Sequence, residues 1–206
     1  MPAHRAFLTR TSLVVACALL AVSGCGSSRT SESEPPAAGT TTAPALPATT
    51  TAEQVDPLAG AATSPVVAPA TAKATALLDR VAVGRHEGYD RVVFQFRGDG
   101  LPGYRVEYVE PPLKEDGSGD PVAVAGSAFV VVRMDPASGF DLSSGEGELV
   151  YKGPKRLPGA SVVKEVVRTG DFEAVLTWAI GLDAKVPFLV STAASPSRLI
   201  VDFRDS

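Results

Sequence analysis

Residues 91–97, RVVFQFR, alternate apolar and polar side chains. Val92, Phe94 and Phe96 fall on one face; Arg91, Val93, Gln95 and Arg97 fall on the other. A period of two puts one face in a core and the other in water, which is the pattern of a half-buried strand and not of an amphipathic helix. The pattern returns in GYRVEYV, where Tyr104, Val106 and Tyr108 oppose Arg105, Glu107 and Val109. Apolar, β-branched runs follow in SAFVVVRM, SVVKEVVR, FEAVLTWAI, FLVSTA and SRLIVDF, with Gly, Pro and Asp clusters between them. No stretch carries a helical stripe of useful length, and TALLDRV leads into the first strand. Residues 75–206 therefore read as an all-β domain of short strands and several turns.

The strands repeat. Sliding the chain on itself by 83 residues brings Tyr89 onto Phe172, Val83 onto Val166, Arg85 onto Arg168, Asp90 onto Glu173 and Gly98 onto Gly181. With gaps, Tyr104 falls near Phe188 and AFVVVRM near RLIVDF. The first half would use strands 79–85, 91–97, 104–109 and 128–134; the second, 162–168, 173–181, 187–193 and 197–203. The expectation is two related four-stranded sheets, one per half, packed apolar face to apolar face as a sandwich. Trp178, in a strongly apolar strand, belongs to that core. Residues 135–160, with Lys152, Lys155 and Arg156, would form an exposed connection.

The N-terminal part is different. Arg5 and Arg10 precede the apolar run TSLVVACALLAVSG, which ends at Cys25. About 20 apolar residues are needed to span a bilayer, and this run is shorter. Residues 1–24 read as a signal peptide. VSGC, residues 22–25, resembles the lipobox of bacterial lipoproteins, which implies that Cys25 receives a diacylglyceryl group and becomes the N-terminus. Val22 stands where Leu is commonest. Cys17 would leave with the signal, so the mature chain could form no internal disulfide and no cysteine-based metal site. From residue 26 to about 74 the chain is almost all Ala, Thr, Pro, Ser and Gly, without Phe, Tyr or Trp. Such a segment buries too little surface to offset its ordering entropy, so 25–74 is expected to be a lipid-bearing, disordered linker.

Removing residues 1–24 takes away Arg5 and Arg10 and moves the formal charge from -4 to -6. An acidic exported domain is a poor partner for nucleic acid by bulk attraction. Nucleophile elbows, H-E-x-x-H and P-loops are missing from the sequence. EDGSGD, residues 115–120, reads as a solvated loop and lacks the spacing of an EF-hand. HEGYDR, residues 86–91, holds the one histidine of the mature chain. Glu87 and Asp90 could orient it as a base. However, neighbouring residues on a strand point to opposite faces, and a hairpin turn with Gly88 at positive φ is the better account. The expectation is a protein without catalytic residues, metal or cofactor.

YDRVVFQF and SRLIVDF resemble the AMIN domain attached to bacterial N-acetylmuramoyl-L-alanine amidases and secretins. HEGYDRVVFQFRGDGLPGYRVEYV with DGSGDPVAVAGSAFVVVRM looks more like the AMIN-like domain of actinobacterial lipoproteins. The resemblance covers about residues 77–204 and implies two related four-stranded sheets. It also implies peptidoglycan binding or placement of envelope machinery. No amidase domain follows, so it implies targeting without hydrolysis. The partner would be cell-wall peptidoglycan or an envelope protein, with the membrane reached through the lipid on Cys25, at the outer face of the cell membrane. Candidate ligand-binding residues are Tyr89, Tyr104 and Tyr108 as flat apolar faces, with Tyr151 beside them, and Arg85, Arg91 and Arg105 for stem-peptide carboxylates. Tyr104 and Tyr108 share a face with Val106, which also suits a core position.

Overall fold

The computed structural model describes residues 56–205. Residues 1–55, which include the expected signal peptide, Cys25 and most of the expected linker, lie outside the described residues. Every regular element among those described is a β-strand. They are β1 (Val66–Ala68), β2 (Ala76–His86), β3 (Tyr89–Phe96), β4 (Gly103–Val109), β5 (Ala128–Asp135), β6 (Ala137–Ser138) and β7 (Phe140–Asp141). After them come β8 (Glu148–Leu149), β9 (Arg156–Pro158), β10 (Val163–Phe172), β11 (Val175–Leu182), β12 (Phe188–Ala193) and β13 (Arg198–Arg204).

Two sheets enclose one core. A six-stranded sheet runs β1-β4-β5-β11-β10-β9, and a five-stranded sheet runs β12-β13-β3-β2-β6; β7 and β8 form a separate ribbon. The alternation seen in the sequence sets the inner faces. Val92, Phe94 and Phe96 from β3 meet Trp178 and Ile180 from β11 in the same buried cluster. The Phe94 and Trp178 rings cross edge-on at 5.9 Å, which links the sheets at their centre. Trp178 is fully buried, as expected of it.

The expected assignment of one sheet to each half is wrong. Hairpin β2–β3 lies in the five-stranded sheet, while hairpin β4–β5 of the same half lies in the six-stranded one. The second half does the reverse, with β10–β11 in the six-stranded sheet and β12–β13 in the other. Each sheet is therefore joined at its centre by a pair between halves, β3 with β13 and β5 with β11. Exchanging the halves maps one central pair onto the other, so the repeat appears as a pseudo-twofold. Alternation along a strand specifies a face but says nothing about which sheet the strand joins, and that is why the sequence was misleading here. Extra edge strands β1, β6 and β9 also raise the strand number above four.

The register of the repeat needs a second correction. The hairpins close at the pairs His86↔Tyr89 and Phe172↔Val175. Phe172 thus takes the place of His86, not of Tyr89. The bulge in β2 between Leu78 and Arg80 has a counterpart in β10 between Val163 and Glu165, whereas a second bulge in β10, between Arg168 and Gly170, has none in β2 and shifts the ungapped comparison. Downstream the gapped match holds, since Tyr104↔Met134 and Phe188↔Phe203 are equivalent pairs.

Three segments expected to be loose are packed. Residues 56–74 contain β1, which adds to the edge of β4, and Ala62, which bridges Phe188 in β12. The chain between β4 and β5 straps the outer face of the six-stranded sheet. Within it Asp116 accepts a hydrogen bond from the Thr177 hydroxyl at 2.6 Å, and the Ala125 amide donates to Glu165 at 3.0 Å. A Cβ on Gly181 would meet the Ala125 carbonyl oxygen at 1.9 Å, so only glycine permits this approach. EDGSGD is thus anchored through Asp116 and is not wholly solvated. Residues 135–160 bury Ala137, Ser138 and Tyr151. Tyr151 crosses Trp178 at 5.6 Å and donates its hydroxyl hydrogen bond to the Pro154 carbonyl at 2.9 Å.

Candidate functional site

Each residue of HEGYDR has a place in the β2–β3 turn. Gly88 adopts φ 80°, which lets two residues reverse the chain. His86 and Tyr89 close the hairpin, and their rings stack at 4.8 Å and 5°. Arg91 lies 5.4 Å from the Tyr89 ring centroid on the same outer face. Asp90 turns the other way and is fully buried. Its Oδ2 accepts hydrogen bonds from the Ser161 and Val163 amides at 2.6 and 2.9 Å. That carboxylate ties the β9–β10 turn of one sheet to β3 of the other and points away from the imidazole. Its Oδ1 has no partner among the described residues.

The three candidate arginines all face carboxylates. Arg91 makes a two-pronged contact to Asp202 at 2.7 and 2.8 Å, with Asp202 nearly fully buried. Hydrogen bonding to Asp202 raises the Arg91 pKa and keeps the guanidinium charged. Arg85 reaches Asp205 at 2.8 Å. Arg105 holds Glu107 at 2.6 and 2.7 Å on the outer face of β4, and that hydrogen bonding lowers the Glu107 pKa.

Tyr104 and Tyr108 lie on the inner face of β4, half-buried against the core. The Tyr108 hydroxyl donates to the Val186 carbonyl at 2.6 Å and accepts from the Val186 amide at 3.0 Å. Burial pushes its pKa up. Tyr151 is buried in the core, and the other six candidates fall in two groups. Arg85, Tyr89 and Arg91 gather at the turn end of the five-stranded sheet; Tyr104, Arg105 and Tyr108 sit on β4 of the other.

A third place was missed. A groove of about 810 Å³ opens between the start of β2, the β6–β7 segment and the β10–β11 turn. Phe140, Leu142 and Phe172 line it and are 41, 71 and 57% exposed. Asp171 forms part of its wall. One Asp171 oxygen accepts from the Ser138 hydroxyl at 2.8 Å, and the other accepts from the Gly139 amide at 2.9 Å and lies 3.6 Å from Arg168. A smaller slot of about 290 Å³ continues past Phe140 and Phe172 toward Glu115, Lys155 and Arg168. Glu173 and Ala174, at the turn beside the groove, both hold left-handed φ values of 50° and 59°. The sequence carried no sign of it: DFEA turns a hairpin without glycine, and Phe140 and Phe172 lie far apart in the chain.

With this geometry in view, the comparison with known families is decisive. The AMIN-like domain matches residues 76–205, which is nearly the whole folded part and well over half of the chain. The chain belongs to the AMIN-like domain family. No curated protein and no solved structure gives a significant match. The matched span of the AMIN-like domain begins at β2 and ends after β13, so it contains both halves of the pseudo-twofold but not β1. It also contains the HEGYDR turn and all but the first two lining residues of the groove, Ala74 and Thr75.

Proposed function

We propose that this protein is a non-catalytic module of the cell envelope that binds peptidoglycan, held at the outer face of the membrane by a lipid on Cys25. The AMIN-like domain filling the folded part carries this reading. The HEGYDR turn supports it, because Asp90 is committed to two amides and His86 to the Tyr89 ring. A general base needs an oriented partner and space for substrate, and this imidazole is instead stacked in a turn. Tyr89 and Arg91 are the pair we assign to the wall, since they share the outer face of the five-stranded sheet, whereas Arg85 stands opposite Asp90 and so belongs to the other face. The Tyr89 ring would pack on a sugar and the Arg91 guanidinium would contact a carboxylate at its free edge.

Cell fractionation tests the two parts separately. The native protein is expected in the membrane fraction. Cys25→Ser is expected to leave that fraction and stay with detergent-washed walls. A Cys25→Ser chain wholly absent from the walls would remove the wall-binding reading. Membrane retention of Cys25→Ser would remove the lipid anchor.

A second reading, an adaptor that docks an envelope protein, is favoured by the exposed apolar groove at Phe140 and Phe172.

A further inference from the structure

We propose that the groove between β2, β7 and the β10–β11 turn is a docking site for a polypeptide segment that presents apolar side chains flanked by Lys or Arg. This goes beyond the wall-binding reading and does not rest on it. The apolar lining is Phe140, Leu142, Phe172 and Leu77, with three of these side chains standing in solvent. Exposed aromatics grouped in a concavity are the usual anchors of an interface.

Charge selects the occupant. Asp141, Asp171 and Glu173 line the groove, and its lining holds no Lys or Arg. Asp171 is compensated by Ser138, Gly139 and Arg168, which leaves Asp141 and Glu173 facing the opening. Asp141 accepts a hydrogen bond from the Ser143 amide at 2.9 Å, which favours its ionised form. Carboxylates of stem peptides or of anionic lipid would be repelled here, whereas a cationic side chain is attracted. The walls are largely aliphatic and phenyl, which suits Leu or Phe side chains better than the hydroxylated faces of a sugar.

The chain's own residues 26–55 are a poor occupant, because they hold one Arg, no Lys and no Phe, Tyr or Trp. Residues 56–62 join the domain at β12, where Asp56 pairs with Arg204 at 2.8 Å and Ala62 bridges Phe188. That is one edge of the five-stranded sheet, and the groove lies at the other, beside β6. Composition, together with entry at the far edge, points to a partner supplied by another molecule.

The test uses residues 26–206 in isotopically labelled form and two capped tetrapeptides, Lys-Leu-Phe-Lys and Glu-Leu-Phe-Glu. Amide shifts are followed by NMR. The lysine peptide is expected to shift the amides of 140–143 and 171–174 in a saturable way. It should bind about tenfold more tightly than the glutamate peptide, the effect of two exposed charge contacts changing sign. Phe172→Ser, at an exposed position, should weaken the lysine peptide without altering the rest of the spectrum. Glu173→Lys should narrow the preference between the peptides. Shifts confined to other surfaces, equal affinity for both peptides, or no shifts at all would overturn the proposal. Sedimentation of the Phe172→Ser protein with purified walls, measured beside it, reports on wall binding independently.

Discussion

Asp90 shows how much one side chain can decide. It sits on the inward-pointing parity of β3, with Val92, Phe94 and Phe96, yet it is fully buried because two amides from the opposite sheet meet it. Replacing it by Ala would leave both amides without an acceptor, at a cost of about 3 kcal/mol. Urea denaturation should show that loss, with a smaller one for Asp90→Asn, whose side-chain oxygen still accepts. Glu173 and Ala174 make the opposite case. Two consecutive non-glycine residues at left-handed φ are strained. Ala174→Gly should raise stability by about 1 kcal/mol. Thermal unfolding would check it, and an unchanged or lowered melting point would show that the turn is not strained. Strain of this kind cannot be seen in a sequence. The glycine at residue 88 announced its turn; the alanine at residue 174 did not.

At the scale of strands, most elements were legible and their arrangement was not. Strands 91–97, 104–109 and 128–134 match β3, β4 and β5 within a residue or two, because alternation and β-branching report directly on a pleated, half-buried surface. The crossing of each half between sheets is a long-range pairing that no local pattern encodes. The short strands β1 and β6 were missed for a related reason. They pair at edges through backbone groups, and with three and two residues they are too short to show alternation. Tyr104 and Tyr108 illustrate what β4 does with a good candidate: the hydroxyl of Tyr108 is bound to Val186 on the chain leading into β12. Burial raises the folded pKa of Tyr108, as it does for Tyr151. The unfolded chain therefore releases these protons first as pH rises. Their contribution is intact below the unfolded value of about 10 and is lost as pH climbs through the folded values. Denaturation midpoints should fall above pH 10, and fall less steeply in Tyr108→Phe than in the native protein. Equal slopes would mean that Tyr108 is not held neutral by the fold.

For the whole molecule, the arrangement of sites bears on how the protein would work. Chain entry at β12 and the groove beside β6 occupy opposite edges of one sheet, and the HEGYDR turn closes a hairpin between them. A tether attached at one edge leaves the other edge free for a partner. The family could be recognised in the sequence because its pattern runs through the core strands, which packing constrains. The groove could not, because Phe140 and Phe172 come from distant connections that only the fold brings together. Binding without chemistry is the central claim, and sedimentation of residues 26–206 with purified, fluorescently labelled sacculi tests it most directly. The account predicts saturable pelleting that survives moderate salt, weakens in Tyr89→Ala, and releases no labelled fragments. Release of soluble fragments, or pelleting no greater than that of an unrelated acidic domain, would contradict it.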